Sequence, residues 1–374
     1  MKDKKQNKRI NGGHRLLFFC ILCLFGLYVA VSYAEEQPQR EQSKTKVILL
    51  HTDNLTYDQY RHPGAQILTG NVQFQHDGVL MYCDSACFYE ATNSFDAFGH
   101  VKMVQGDTLD LVGDMLLYNG LDQLARVRHN VVLTHRESKL YTDSLDYDRL
   151  YELGYFFEGG KLVDKDNVLT SDWGQYSPPT RQAVFNYNVK LENPKFTLIS
   201  DTLNYNTLTS MAEIVGPSNI DSGDNHIYSE SGFYNTQTEE AILLDRSIVT
   251  NKGRKMVGDS LYYDSKSGVG EGFRNVVYTD EVNKNMLTGN YCYYNDSTGY
   301  SMATDSAVAI DYSQRDTMYM HADTFKVYTF YMDTDSMYRE VRGYHKVRSY
   351  RMDVQSVCDS LVFDSRDTCV TMYL

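Results

Sequence analysis

The sequence predicts an all-β protein built as an elongated, solenoid-like stack of ~29-residue units. Three observations carry this. One short motif recurs along most of the chain, apolar side chains within it fall two residues apart, and the composition suits strands, with 31 Tyr and only 6 Pro in 374 residues.

The motif reads acid or Asn, usually a small polar residue, an apolar or small residue, any residue, an aromatic, then often Asp or Asn. Asp143-Ser144-Leu145-Asp146-Tyr147-Asp148 and Asp201-Thr202-Leu203-Asn204-Tyr205-Asn206 show it in full. Copies begin at Asp53, Asp84, Asp114, Asp143, Asp172, Asp201, Glu230, Asp259 and Asn290, with steps of 31, 30, 29, 29, 29, 29, 29 and 31 residues. Weaker copies at Asp323 and Asp359 continue it. A second motif lies between these: Gly70-Asn71-Val72-Gln73-Phe74, Gly99-His100-Val101, His129-Asn130-Val131, Asn188-Val189 and Asn275-Val276. Most units therefore hold at least two strands. Turn signals such as Asn193-Pro194 and Gly216-Pro217 separate strands, and no stretch has helical periodicity.

A unit of this length cannot bury an apolar face alone, so neighbours must stack around a continuous interior. The third and fifth motif positions are expected to face inward. Those pairs are Leu55/Tyr57, Leu116/Tyr118, Leu145/Tyr147, Leu203/Tyr205 and Leu261/Tyr263, joined by Phe88 and by Val72/Phe74 of the second motif. Equivalent positions align along the axis as one apolar stripe, which is either plain core or the wall of a trough.

Leu68-Thr69-Gly70-Asn71-Val72-Gln73-Phe74 followed by Leu80-Met81-Tyr82-Cys83-Asp84-Ser85-Ala86 resembles the alternating Gly-Asn-Val and Ala-Asp-x-Ala-x-Tyr elements of the OstA/LptA-like lipopolysaccharide-transport family. The similarity is sharpest over residues 47–133 and persists as spacing to about 295. Several copies carry Asp-Ser or Asp-Thr where the family has Ala-Asp, His100 stands for Asn, and the array is longer than the short bridge protein of that family. The resemblance implies a β-jellyroll, or β-taco, in which the stripe residues above form a lipid-binding trough for the acyl chains of lipid A. It also implies docking by edge strands with other β-jellyroll transport proteins of the inner and outer membrane. The competing expectation is a structural or adhesive β-solenoid spacer of the envelope, in which the same stripe is a closed core.

Lys2, Lys4, Lys5, Lys8, Arg9 and Arg15 precede an uncharged run from Leu16 to Val31, and Ser32-Tyr33-Ala34 offers small residues for cleavage. Residues 1–34 are therefore expected to be a signal peptide or an N-terminal anchor, with the remainder exported to the periplasm. Residues 35–46 read as a linker, 47–295 as the regular array and 296–374 as its irregular continuation. Without the leader, 30 Lys and Arg stand against 48 Asp and Glu, a net charge of about −18, which excludes nucleic acid as a main partner. The one basic cluster is Arg339, Arg342, His345, Lys346, Arg348 and Arg351, placed to meet lipid phosphates or simply solvated.

Beyond the leader the sequence holds no G-x-S-x-G, H-E-x-x-H, P-loop or C-x-x-C, so neither an enzyme nor a cofactor is expected. Of five remaining cysteines, Cys358 and Cys369 flank a hairpin and are the best disulfide pair, the alternative being that all are free and buried. Ending at Thr371-Met372-Tyr373-Leu374 leaves an unpaired apolar strand edge, which fits either a piece of a longer array or a docking edge for a partner strand.

Overall fold

The computed structural model describes residues 45–332, 334–364 and 369–373. The expected leader lies outside the described residues, as does most of the expected linker. From Ile48 to Tyr373 the described chain forms 27 strands in one antiparallel sheet, with a 3-10 turn at Glu90–Thr92. Strands of 11 or 12 residues, such as Gln66–His76, Val79–Tyr89, Ser94–Gln105 and Leu109–Asn119, neighbour one another in sequence order. Each 29-residue unit is thus a hairpin and adds about 9.6 Å of sheet, two inter-strand spacings.

The sheet is not flat. His76 ends one strand near one row of turns, and Tyr118 ends another near the opposite row; in a flat sheet about nine residues, some 30 Å, would separate their levels. Yet His76 Nδ1 and the Tyr118 hydroxyl lie 2.7 Å apart. Each strand must therefore bend midway, so that the two limbs of the sheet face each other across the interior.

The bend comes from the second motif. Gly70 and Asn71 together oppose the single residue Asp84, a β-bulge in which both carry positive φ, +84° and +48°. Paired positive φ recurs at Gly99/His100, His129/Asn130, Tyr187/Asn188, Arg274/Asn275, Asp305/Ser306 and His345/Lys346. Gly and Asn adopt this left-handed region at the least cost, which is why they mark the motif. The first residue of the other motif clasps the corner. Asn71 donates to Asp53 at 3.0 Å, His100 lies 2.7 Å from Asp84, Asn130 donates to Asp114 at 2.7 Å, Asn188 to Asp172 at 2.6 Å and Asn275 to Asp259 at 2.8 Å. At Gly70 and Gly99 that acid lies so close that a Cβ would strike the carboxylates of Asp53 and Asp84. Where the bend is sharpest the strand splits in two, as in Gly160–Asp164 after Leu153–Phe156.

Inner-face residues alternate with outer ones along each limb and form one buried cluster from Val47 to Leu261, with a second from Val276 to Leu361. The expected Cys358 disulfide is not formed. Cys358 is a free, buried thiol opposite Val347, while Cys369 stands opposite Asp364, six residues along the same strand as Cys358 and far beyond bridging reach. Cys83, Cys87 and Cys292 are also free and buried, and burial pushes the Cys83 and Cys292 thiols up to about 12.

The corner predicts a mutational order. Asn188→Ala puts a Cβ-bearing residue without a clasp at φ +52° and is expected to cost about 2–3 kcal/mol, from left-handed strain and one lost hydrogen bond. Asn188→Gly removes the clasp without the strain and should cost about half as much. Urea midpoints should fall in the order wild type, Gly, Ala; a reversed order would mean the corner is not where the strain lies.

Candidate functional site

Opposite the corner the two limbs end in two rows of turns, and the gap between these rows is the mouth of the fold. Over the N-terminal two thirds it is bridged. Tyrosines at the fifth motif position reach across to polar residues that end strands about 41 positions earlier. The Tyr118 hydroxyl meets His76 and accepts from Arg149 at 2.5 Å. The Tyr176 hydroxyl meets His135 at 2.8 Å. The Tyr205 hydroxyl donates to Asp164 at 2.8 Å and accepts from Asn167 at 2.9 Å. Turn residues add Gln123 to Asp77 at 3.0 Å, Gln105 to Glu152 at 2.6 Å and Lys195 to Glu239. Burial raises the pKa of the Tyr118 and Tyr205 hydroxyls and lowers that of His76 and His135. These groups are hydrogen-bonded and neutral in a dry interior.

The interior changes character beyond Leu243. In the bridged segment, inner residues from corner to mouth are buried, filled by Phe74, Phe95, Tyr118, Tyr147, Phe185 and Tyr205. Further along, those nearest the corner remain buried: Val276, Cys292, Ala303, Ala307, Phe325 and Val347. Those nearer the mouth are half-exposed: Val249, Met256, Tyr278, Leu287, Val327 and Val341. Here Gly270, Gly272, Gly289, Ala303, Ala309 and Gly343 occupy the inner rows, as shown by their registers against Tyr294, Cys292, Val276, Phe325, Leu287 and Leu361. Phe325 packs over Gly343, and Val276 and Leu261 over Gly272, so the floor near the corner is filled, and it is the half-exposed apolar rows nearer the mouth that form an open apolar trough.

Placed on this frame, Val72, Phe74, Phe88, Leu116, Tyr118, Leu145, Tyr147, Leu203 and Tyr205 lie within the closed segment, all buried. Leu261 is buried where the trough begins, and Tyr263 beside it is half-buried. Leu55 and Tyr57 depart from the expected inward packing. Leu55 sits on the inner row opposite Leu68, but in the edge strand Asn54–Thr56, and is 42% exposed. Tyr57 lies beyond that strand, where Asp58 accepts the backbone N–H groups of Tyr60 and Arg61 and turns the chain away; it is 67% exposed.

Residues 44–201 and 197–259 match the family described as OstA-like protein. Those spans cover more than half of the chain. The chain belongs to the OstA-like protein family. A search of curated proteins returns no match. Among solved structures, the chain is similar to LptH of Pseudomonas aeruginosa, described as the LptA-homologous periplasmic component of the lipopolysaccharide transport device. That similarity is 18% identity over 32% of this chain and 80% of that one, with a TM-score of 0.27. The OstA-like match stops at residue 259, close to where the interior opens.

Two features of this OstA-like chain escape the sequence patterns above. The basic cluster does not form one patch. Arg339 and Arg351 stand on inner-face rows with Val341 and Ser349, Arg342 and Arg348 on the outer face, and His345 and Lys346 in the corner. The polar residues along the mouth are the other, although their signal is present: His76, Gln105, His135, Asp164 and Asn193 recur at the same ~29-residue period, each ending a strand, and His76, His135 and Asp164 among them meet the ladder tyrosines. Isolated polar residues before turns look like ordinary turn chemistry until the limbs are folded together.

The ladder generates three predictions. Tyr205→Phe strips a hydrogen bond from Asp164, which is 1% exposed, and is expected to cost about 1–3 kcal/mol in urea denaturation. The Tyr147 hydroxyl is buried with no partner among the described residues, so Tyr147→Phe should be neutral or stabilising. Because folded His76 and His135 sit below 6.5, the unfolded chain binds more protons as pH falls. Their stabilising contribution is complete above about 6.5 and is lost as pH falls below it. The drop in Tm between pH 7.5 and 5.0 should be smaller in a His76→Gln/His135→Gln variant; an equal drop would assign the acid sensitivity to carboxylates alone.

Proposed function

We propose that this OstA-like protein is a lipopolysaccharide-transport component of the periplasm that holds lipid acyl chains against the inner face of its folded sheet and joins β-jellyroll partners by edge-strand addition. The observation that supports it most directly is the inner face itself, a continuous apolar surface along the array that opens to solvent at the mouth beyond Leu243. Each methylene moved from water onto such a surface contributes about 0.8 kcal/mol, so holding an acyl chain needs no catalytic group. Row upon row of similar apolar positions suits cargo that must enter and leave.

The closed, filled interior between Val47 and Leu243 favours a second function for that segment, a rigid spacer. The two roles are compatible within one molecule. The test is depletion in the native cell with lipopolysaccharide measured at the cell surface, together with phosphate and fatty-acid assay of the purified chain. Loss of surface lipopolysaccharide and co-purifying lipid are expected. Normal surface lipopolysaccharide with a lipid-free protein would leave only the spacer.

A further inference from the structure

We propose that the lipid site occupies only the open segment between Arg254 and Phe363, largely outside the span that matches the family, and that the pair Arg254 and Arg339 receives the anionic head of a phosphorylated lipid there. This rests on the transport function proposed above and specifies where on the molecule it is carried out.

The first argument is space. In the bridged segment, large buried rings meet across the interior, as in the stack of Phe74 on Phe95 at 4.1 Å, and leave no room for a guest. In the open segment the inner rows nearer the mouth stay half-exposed, with Ala309 opposite Leu287 and Val327 opposite Val341. Eight strands border this trough from Arg254–Val257 to Val354–Asp364; the first two, Arg254–Val257 and Ser260–Asp264, pair with the same neighbour, so they make seven levels and a length of about 29 Å at the usual inter-strand spacing. A membrane-lipid chain spans roughly 15 Å, half the hydrocarbon core of a bilayer, so chains of that length fit along the axis. A run of half-exposed apolar side chains along the inner rows is a surface that gains by being covered.

The second argument is charge. The chain is strongly acidic, yet three guanidinium groups stand on inner-face rows of this segment; Arg351 is paired with Asp353 at 2.6 and 2.9 Å, and the other two are Arg254 and Arg339. Arg254 is opposite Asp280 on one limb, and Arg339 is opposite Thr329 on the other. They approach one buried carboxylate, Asp280, at 3.6 and 3.8 Å, and Arg254 also approaches Asp296 at 3.7 Å. The separations of Arg254, 3.6 and 3.7 Å, exceed the 2.7–2.9 Å of close charge-assisted pairs. Arg254 makes one hydrogen bond among the described residues, from Nη1 to the Tyr294 hydroxyl at 3.3 Å, although a guanidinium carries five donors. A phosphate monoester fits this arrangement, because it offers several acceptor oxygens to the forked donors of Arg254 beside a second cation, Arg339, while its chains run on along the half-exposed apolar rows. Tyr294 to Arg254, 40 positions apart, repeats the spacing of the tyrosine bridges, so the cationic pair continues the line of the ladder into the open segment.

The experiment uses the full chain with purified lipid A and, as a second probe, dephosphorylated lipid A. Photoreactive p-benzoylphenylalanine replaces Leu287 or Val341 in the open segment and Leu203 in the closed one. Crosslinks at Leu287 and Val341 without one at Leu203 are expected; equal crosslinking at Leu203, or none at the two open positions while lipid is bound, overturns the location. Ala309→Trp, at a half-exposed position, fills the trough and is expected to weaken lipid A binding at least tenfold with Tm unchanged; unaltered binding overturns the location even if the Leu203 variant does not fold. Arg254→Gln/Arg339→Gln should weaken lipid A at least tenfold and leave dephosphorylated lipid A unaffected, whereas equal effects on both probes overturn the headgroup assignment. A wild-type chain that binds neither probe defeats the transport function itself, an outcome distinct from a misplaced site.

Discussion

Everything in this fold depends on the bend that each long strand makes at its midpoint. A one-sheet meander of 27 strands would otherwise present its apolar face to water along its whole length. Two consecutive residues at positive φ, opposed by a single acid, turn the strand sharply enough for its two halves to face each other. Burial of each large inner side chain then contributes roughly 1.5–3 kcal/mol, which more than offsets the left-handed strain at the corner. The clasping acid lends the corner side chain a partner and holds the bend at a fixed register. Both motifs therefore recur with one period: the acid of one strand completes the bulge of the next.

Facing the limbs creates a second requirement at the mouth, where backbone ends and polar turns meet an apolar interior. Tyrosine answers it with a large apolar body for the core and a hydroxyl at the rim. Since each bridge joins residues about 41 positions apart, it spans more than one unit and ties each hairpin to the next but one. Stability in such an array is a sum over neighbours, so the bridged segment is expected to be the firmer part and the open segment the more compliant. Where the bridging thins, the inner rows nearer the mouth are half-exposed. On the function proposed above, structural closure and lipid capacity are alternative uses of one set of positions.

The acidic exterior and the two inward arginines divide the electrostatics of the molecule. A surface rich in Asp and Glu repels anionic membranes and nucleic acid. Cations held at the rim of an apolar trough are less screened than cations on the surface. On the function proposed above, an amphiphile with an anionic head would be discriminated by where the charge lies rather than by net charge.

The amino-acid sequence by itself determined the all-β class, the period, the alternation of inner and outer faces, and the likeness to OstA proteins, because period-two patterning and repeated turn chemistry are local properties of the chain. Leu145/Tyr147 and Leu203/Tyr205 were legible as inward-facing for that reason. Only the tertiary structure decided which of these positions are filled core and which border an open trough, since that depends on what the opposite limb contributes at the same level. Leu55 has the inward pattern of Leu203 but sits in an edge strand that pairs on one side only. Arg339 and Arg342 look equivalent in sequence and stand on opposite faces. His76 and Tyr118 are 42 residues apart, and nothing local announces their contact. Face and period are carried by the strand; width, closure and charge placement arise only when a bent sheet brings its two limbs together.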